Sequence, residues 1–86
     1  LKQYRKLDKK GENKMRFNYS KLRGFIAEYF VTRKNFANFL GIGTTALSER
    51  MRNKVSFTQR EIAKVANEAT KEKLSAEEIY ALFFTQ

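Results

Sequence analysis

Thr44, Thr45, Ser48, Glu49 and Arg52 stand at i, i+1, i+4, i+5 and i+8 of one short stretch. On a helix this spacing gathers hydroxyl, carboxylate and guanidinium groups into a single polar stripe, able to donate and accept hydrogen bonds on the surface of a partner. The usual routes to covalent chemistry are closed. The chain has no Cys and no His, which excludes Ser–His–Asp and Cys–His nucleophilic catalysis, thiol chemistry, disulfides and the common zinc sites. Only carboxylate, Lys or Tyr chemistry would remain to an enzyme, and Glu28, Glu49 and Glu61 form no motif that would bring two carboxylates together. The expectation is a binding protein, not an enzyme, with no cofactor, no metal and no small-molecule substrate.

Charge narrows the class of partner. The 86 residues carry 18 Lys and Arg against 9 Asp and Glu, a net +9, which suits a polyanion such as nucleic acid or an acidic membrane surface. Residues 33 to 54 carry Arg33, Lys34, Arg50, Arg52 and Lys54 against Glu49 alone, whereas residues 55 to 86 are close to balance. The positive charge therefore gathers around the polar stripe. The basic residues do not line one long amphipathic helix, which counts against a membrane surface. The N-terminus has no apolar signal core, and the apolar run "ALFF" is far too short to span a bilayer, so a soluble, intracellular protein is expected. Residues 1 to 14, "LKQYRKLDKKGENK", hold six basic and two acidic residues without a helical apolar stripe. They read either as a mobile basic arm or as non-native or upstream sequence before a start at Met15; residues 15 to 86 form the domain.

The elements that must present the stripe are marked by their starts. Five times an apolar residue precedes a capping type and another apolar residue follows four positions after the cap: Phe17-Asn18 with Leu22, Val31-Thr32 with Phe36, Ile42-Gly43 with Leu47, Phe57-Thr58 with Ile62, and Leu74-Ser75 with Ile79. Each fits a hydrophobic staple across an N-cap, and Glu61 and Glu78 complete capping boxes after Thr58 and Ser75. With no Pro and almost no alternating apolar pattern, nothing competes for a sheet. An all-α fold of five short helices follows, at about 19–30, 33–40, 44–52, 59–70 and 76–84. Its expected core comprises Leu22, Ile26 and Phe30; Phe36, Ala37, Leu40 and Ile42; Leu47 and Met51; Phe57, Ile62, Val65 and Ala66; and Ile79, Leu82 and Phe83. Phe25, Tyr29 and Phe39 are expected to fill out this core, and Gly24 interrupts helix 1.

Between helices 2 and 3 stands "GIG". Gly41 can end helix 2 in the left-handed conformation, Ile42 plugs the angle, and Gly43 opens helix 3. Ala37 is small enough for two helices to cross closely at this corner. Helix 3 then turns Leu47 and Met51 inward and leaves its polar stripe outside.

Residues 32–54, "TRKNFANFLGIGTTALSERMRNK", resemble the helix-turn-helix of the phage Cro and lambda-type repressor family. The marks are Thr32, Phe36-Ala37, Leu40-Gly41-Ile42 and Leu47-Ser48, and the likeness in helix order runs from about Phe17 to the C-terminus. A group of small Gram-positive phage regulators is similar also in "YSKLRG", "KNFA", "LS…NK…FT…EI" and the terminal "FF". One departure stands out. The family has an aliphatic residue three after Leu47; here Arg50 occupies that place and Met51 takes over the packing, so the rotation of helix 3 does not carry over.

The resemblance implies a five-helix DNA-binding domain in a bacterial cytoplasm, associated with the nucleoid, with helix 3 in the major groove. Thr44, Thr45, Ser48 and Glu49 would then face base edges. Arg33, Lys34, Arg52, Asn53 and Lys54 would hold phosphates, and Lys9, Lys10 and Lys14 of the arm would track phosphates or enter a minor groove. It implies a transcriptional repressor that binds double-stranded operator half-sites as a homodimer. The alternative is a modulator or antirepressor that uses the same fold to bind a partner repressor protein.

Overall fold

The computed structural model describes residues 16–86, so the expected arm contacts Lys9, Lys10 and Lys14 lie outside the described residues. Those residues form five α-helices and no strand: α1 Ser20–Tyr29, α2 Arg33–Leu40, α3 Thr44–Met51, α4 Gln59–Glu68 and α5 Ala76–Phe83. Capping chemistry sets most of the starts. Thr32 accepts a hydrogen bond from the Asn35 N–H at 3.1 Å, and Thr58 and Ser75 each sit in a complete capping box. Asn18 departs from expectation in part. Tyr19 occupies the N-cap position of α1 without a side-chain cap bond, and Asn18 serves from one residue further out, accepting from the Ser20 N–H at 2.9 Å.

All five helices contribute to one core. Leu22 and Ile26 come from α1, Phe36, Ala37 and Leu40 from α2, Leu47 and Met51 from α3, Val65 from α4, and Leu82 and Phe83 from α5. Phe57, before α4, is buried with them. So is Tyr19, which the apolar spacing does not select; its ring meets Phe57 edge-on at 5.5 Å. Burial pushes the Tyr19 phenol above its ordinary range. Phe30, Ile42, Ile62 and Ile79 pack against this core only partly buried. Tyr29 and Phe84 are exposed, and Phe84 stands beside Tyr80 and Phe17.

α1 packs against α2 and α5, α4 against α2 and α5, and α3 comes within helix-packing distance of α2 alone. The expected staple across Thr32 does not form. Val31 is 74% exposed at φ +70, and Phe30 takes the place beside Phe36, with ring centroids 5.0 Å apart. A β-branched residue at positive φ is strained. Here the turn is held because the Phe30 and Val31 N–H groups both donate to the Ile26 carbonyl, at 2.8 and 2.9 Å, and Asn35 Nδ2 donates to the Phe30 carbonyl at 2.7 Å.

Gly24 has a different character. A Cβ built there would meet nothing within 4 Å, so close packing does not require the glycine, and it weakens the interior of α1. Gly24→Ala is expected to stabilise the fold by about 1 kcal/mol, the helix-propensity difference; an unchanged or lower urea midpoint would contradict this.

Candidate nucleic-acid interface

The corner between α2 and α3 is built by backbone chemistry. Gly41, at φ +79, ends α2 in the left-handed region. Its N–H donates to the Asn38 carbonyl at 3.1 Å, and the Ile42 N–H donates to the Ala37 carbonyl at 3.0 Å, the bond pair of a Schellman motif. Gly43 then starts α3 without a capping side chain. Thr44 and Thr45 on the first turn are exposed, and Ser48 and Glu49 are half-buried. The four expected base-reading residues thus lie along one helix whose inner side is anchored by the buried Leu47 and Met51.

Arg33 and Lys34 open α2, and Arg52 and Lys54 follow α3; all four are exposed. None of them makes an ion pair among the described residues. The placement of Arg33 and Lys34 is locally unfavourable, because the first turn of a helix carries a partial positive charge that favours acids, and α2 has no acidic residue there. Two unpaired cations at that position make electrostatic sense next to an anion supplied from outside.

Asn53, expected to hold a phosphate, also has a structural task. At φ +65 it terminates α3: its N–H donates to the Arg50 carbonyl at 3.1 Å and the Lys54 N–H to the Glu49 carbonyl at 2.8 Å. Its side-chain amide is committed to the backbone of Phe17, accepting from the Phe17 N–H at 2.9 Å and donating to the Phe17 carbonyl at 3.0 Å. The Asn18 N–H in turn donates to the Thr85 carbonyl at 2.7 Å. The segment before α1 is thereby pinned to the end of α3 and to the C-terminus.

Spacing alone gives no sign of a buried ion pair behind the stripe. Arg50 Nε donates to Glu61 Oε1 at 2.9 Å, Nη2 donates to Glu61 Oε2 at 3.2 Å, and Nη1 donates to the Ala46 carbonyl at 3.0 Å. The two side chains are only 13% and 7% exposed. Glu61 Oε1 also accepts the Thr58 N–H at 3.0 Å, so one carboxylate closes the α4 capping box and receives α3. An Arg on the flank of helix 3 and a Glu at the third position of helix 4 are each visible in the sequence, but nothing there pairs them. Arg50 is therefore neutralised within the fold, leaving Arg33, Lys34, Arg52 and Lys54 as the cations around the stripe that have no ion-pair partner among the described residues.

No helix among the described residues is long and apolar enough to cross a membrane. Among the same residues no group of three or more His, Cys, Asp or Glu could hold a metal ion. A search of curated proteins finds no match. Residues 15–86 match the family described as "Protein of unknown function (DUF739)", and the chain belongs to that family.

Proposed function

We propose that the chain is a sequence-specific reader of double-stranded DNA, a transcriptional regulator of the phage Cro repressor kind. In this reading α2 and α3 form a helix-turn-helix with α3 in the major groove. Thr44 and Thr45 offer hydroxyl donors to bases and methyls to thymine, Ser48 adds a further hydroxyl, and Glu49 can accept from cytosine N4. Arg33, Lys34, Arg52 and Lys54 hold phosphates, and two copies bind half-sites about one helical turn apart in the host cytoplasm. The observation that carries the reading is the pairing of a donor and acceptor stripe, exposed at Thr44 and Thr45 and half-buried at Ser48 and Glu49, with four cations at the two ends of the same corner that have no ion-pair partner among the described residues. Asn53 is bonded through its amide to the Phe17 backbone, which leaves its second side-chain N–H to join the phosphate-holding set.

Selection of bound duplexes from a random library tests this. The expected result is a consensus with dyad symmetry, bound at least about 1,000-fold more tightly than a scrambled duplex at physiological salt. Thr45→Ala or Glu49→Ala should change preference at one or two positions, whereas Arg33→Ala should weaken all duplexes alike. Equal, steeply salt-dependent binding to every duplex would leave only the charge explained.

Two observations favour a protein partner as the second reading. Glu49 places an acid on the reading face, where it would repel phosphate. A groove of about 430 Å³ between α1 and α5, with Phe25, Tyr29 and Leu82 in its wall, offers a surface away from the stripe. Co-purification of a second regulator in place of a DNA consensus would favour that alternative.

A further inference from the structure

We infer that Arg50 and Glu61 are a positioning pair that fixes the rotation of α3 and so the angle at which its polar stripe is presented. The inference rests on the DNA-reading proposal for its consequence, but not for its geometry. α3 is eight residues long and packs helix against helix only on α2. Its buried anchors, Leu47 and Met51, are four residues apart and lie nearly one above the other. Two points on one line resist roll about that line poorly, and the backbone corner at Ile42 and the Asn53 clamp on Phe17 hold only the helix ends, so a contact off the line from within the helix adds most to fixing the roll.

Arg50 supplies that contact. At about 100° per residue it projects from the flank of α3, roughly 100° from Met51 and on the side away from Ser48 and Arg52. Its guanidinium is held at both ends, by the Ala46 carbonyl of its own helix and by both Glu61 oxygens. Glu61 is equally constrained, since its N–H donates to Thr58 Oγ1 at 3.0 Å while its carboxylate accepts the Thr58 N–H. The position of α4 is thereby transmitted to α3 through a planar two-bond fork, a geometry that a lysine ammonium cannot reproduce.

The consequence for recognition is a matter of leverage. With side chains about 5–6 Å from the helix axis, a roll of roughly 20° moves a tip by about 2 Å. That is enough to take a base-edge hydrogen bond out of range. A pair kept only for stability is a weak explanation, because apolar residues of similar volume often serve equally well in a buried site.

The test uses the full chain with Arg50→Met and Glu61→Gln combined, and separately Arg50→Lys. Gln keeps the capping function at its position, Met fills similar space, and Lys retains the charge without the fork. Backbone N–H residual dipolar couplings are measured without DNA for 44–51 against 59–68, followed by the affinity ratio between the selected and scrambled duplexes at two salt concentrations. In both variants the α3 couplings are expected to depart from the native orientation relative to α4. The affinity ratio should fall at least about tenfold, with affinity for the scrambled duplex and the salt slope unchanged. Native couplings in both variants would overturn the positioning role, whatever happens to DNA binding. Altered couplings with an unchanged ratio would overturn its link to recognition. If the native chain selects no duplex, the DNA-reading proposal fails, and the couplings alone decide whether the pair positions α3.

Discussion

Glu61→Ala is expected to lower the thermal midpoint by roughly 12–24 °C, from a destabilisation of about 3 kcal/mol at 4–8 °C per kcal/mol for a domain of this size. Removing one partner of a buried ion pair costs about 3–5 kcal/mol because the other charge stays behind without compensation. The lower end applies here, since the Arg50 side chain keeps 13% of its exposure and can gain some water. The same change frees the Thr58 N–H from its acceptor. Arg50→Ala should cost less, because Glu61 would keep its bond to Thr58 and its place at the start of α4. The double variant with Met and Gln should be the mildest of the three, since it leaves neither charge behind. Thermal unfolding followed by circular dichroism gives this order directly. A drop below about 4 °C for Glu61→Ala, the shift that a single kcal/mol would give, would show that the pair contributes little to holding α3 against α4.

That Glu61 can be read as a cap but not as an ion-pair partner shows which part of the fold is legible in a sequence. Thr58 and Glu61, or Ser75 and Glu78, act within four residues, so the chemistry that starts each helix is visible in a short window. The stops are less visible. The apolar pattern carries helix 4 to about residue 70, but it ends at Glu68, where the chain turns so that the Leu74 N–H can donate to the Ala66 carbonyl at 2.9 Å. Val31 fails as a staple because the end of α1 needs a residue in the left-handed region, and a staple pattern contains no information on backbone conformation. Tyr19 escapes the periodicity because its burial comes from Phe57, distant in sequence, and not from a helical stripe of its own.

Within the candidate site the stripe itself is legible, since 100° spacing along α3 alone defines it. The roles of Arg50 and Asn53 are not. By position both belong with the basic or polar residues near the stripe, yet one reaches α4 and the other clamps Phe17. Summing charge along a chain credits a residue to the surface before its partner is known, and eleven residues separate Arg50 from Glu61. The free positive charge around α3 is accordingly smaller, and more evenly divided between the two ends of the corner, than the composition suggests.

Replacing Arg33, Lys34, Arg52 and Lys54 together with Gln should reduce the magnitude of the salt slope of duplex binding by about 3–4, at roughly 0.9 for each phosphate no longer neutralised. At about 50 mM salt the affinity should fall by at least about a hundredfold for selected and scrambled duplexes alike, because cations that hold phosphates carry no base information. All four residues are exposed and without ion-pair partners among the described residues, so the fold has little to lose. The pair at the start of α2 goes further. Removing Arg33 and Lys34 takes two cations from the positive end of a helix dipole, a gain of about 0.3–1 kcal/mol each, so that variant should be slightly more stable while it binds DNA less well. The stability gain follows from the helix dipole whatever the two residues are kept for; the accompanying loss of affinity is what surface lysines and arginines retained only for solubility would not produce. A quadruple variant whose salt slope stays within about one of the native value would remove these four side chains from the phosphate backbone, and the corner between α2 and α3 would then need a partner other than DNA.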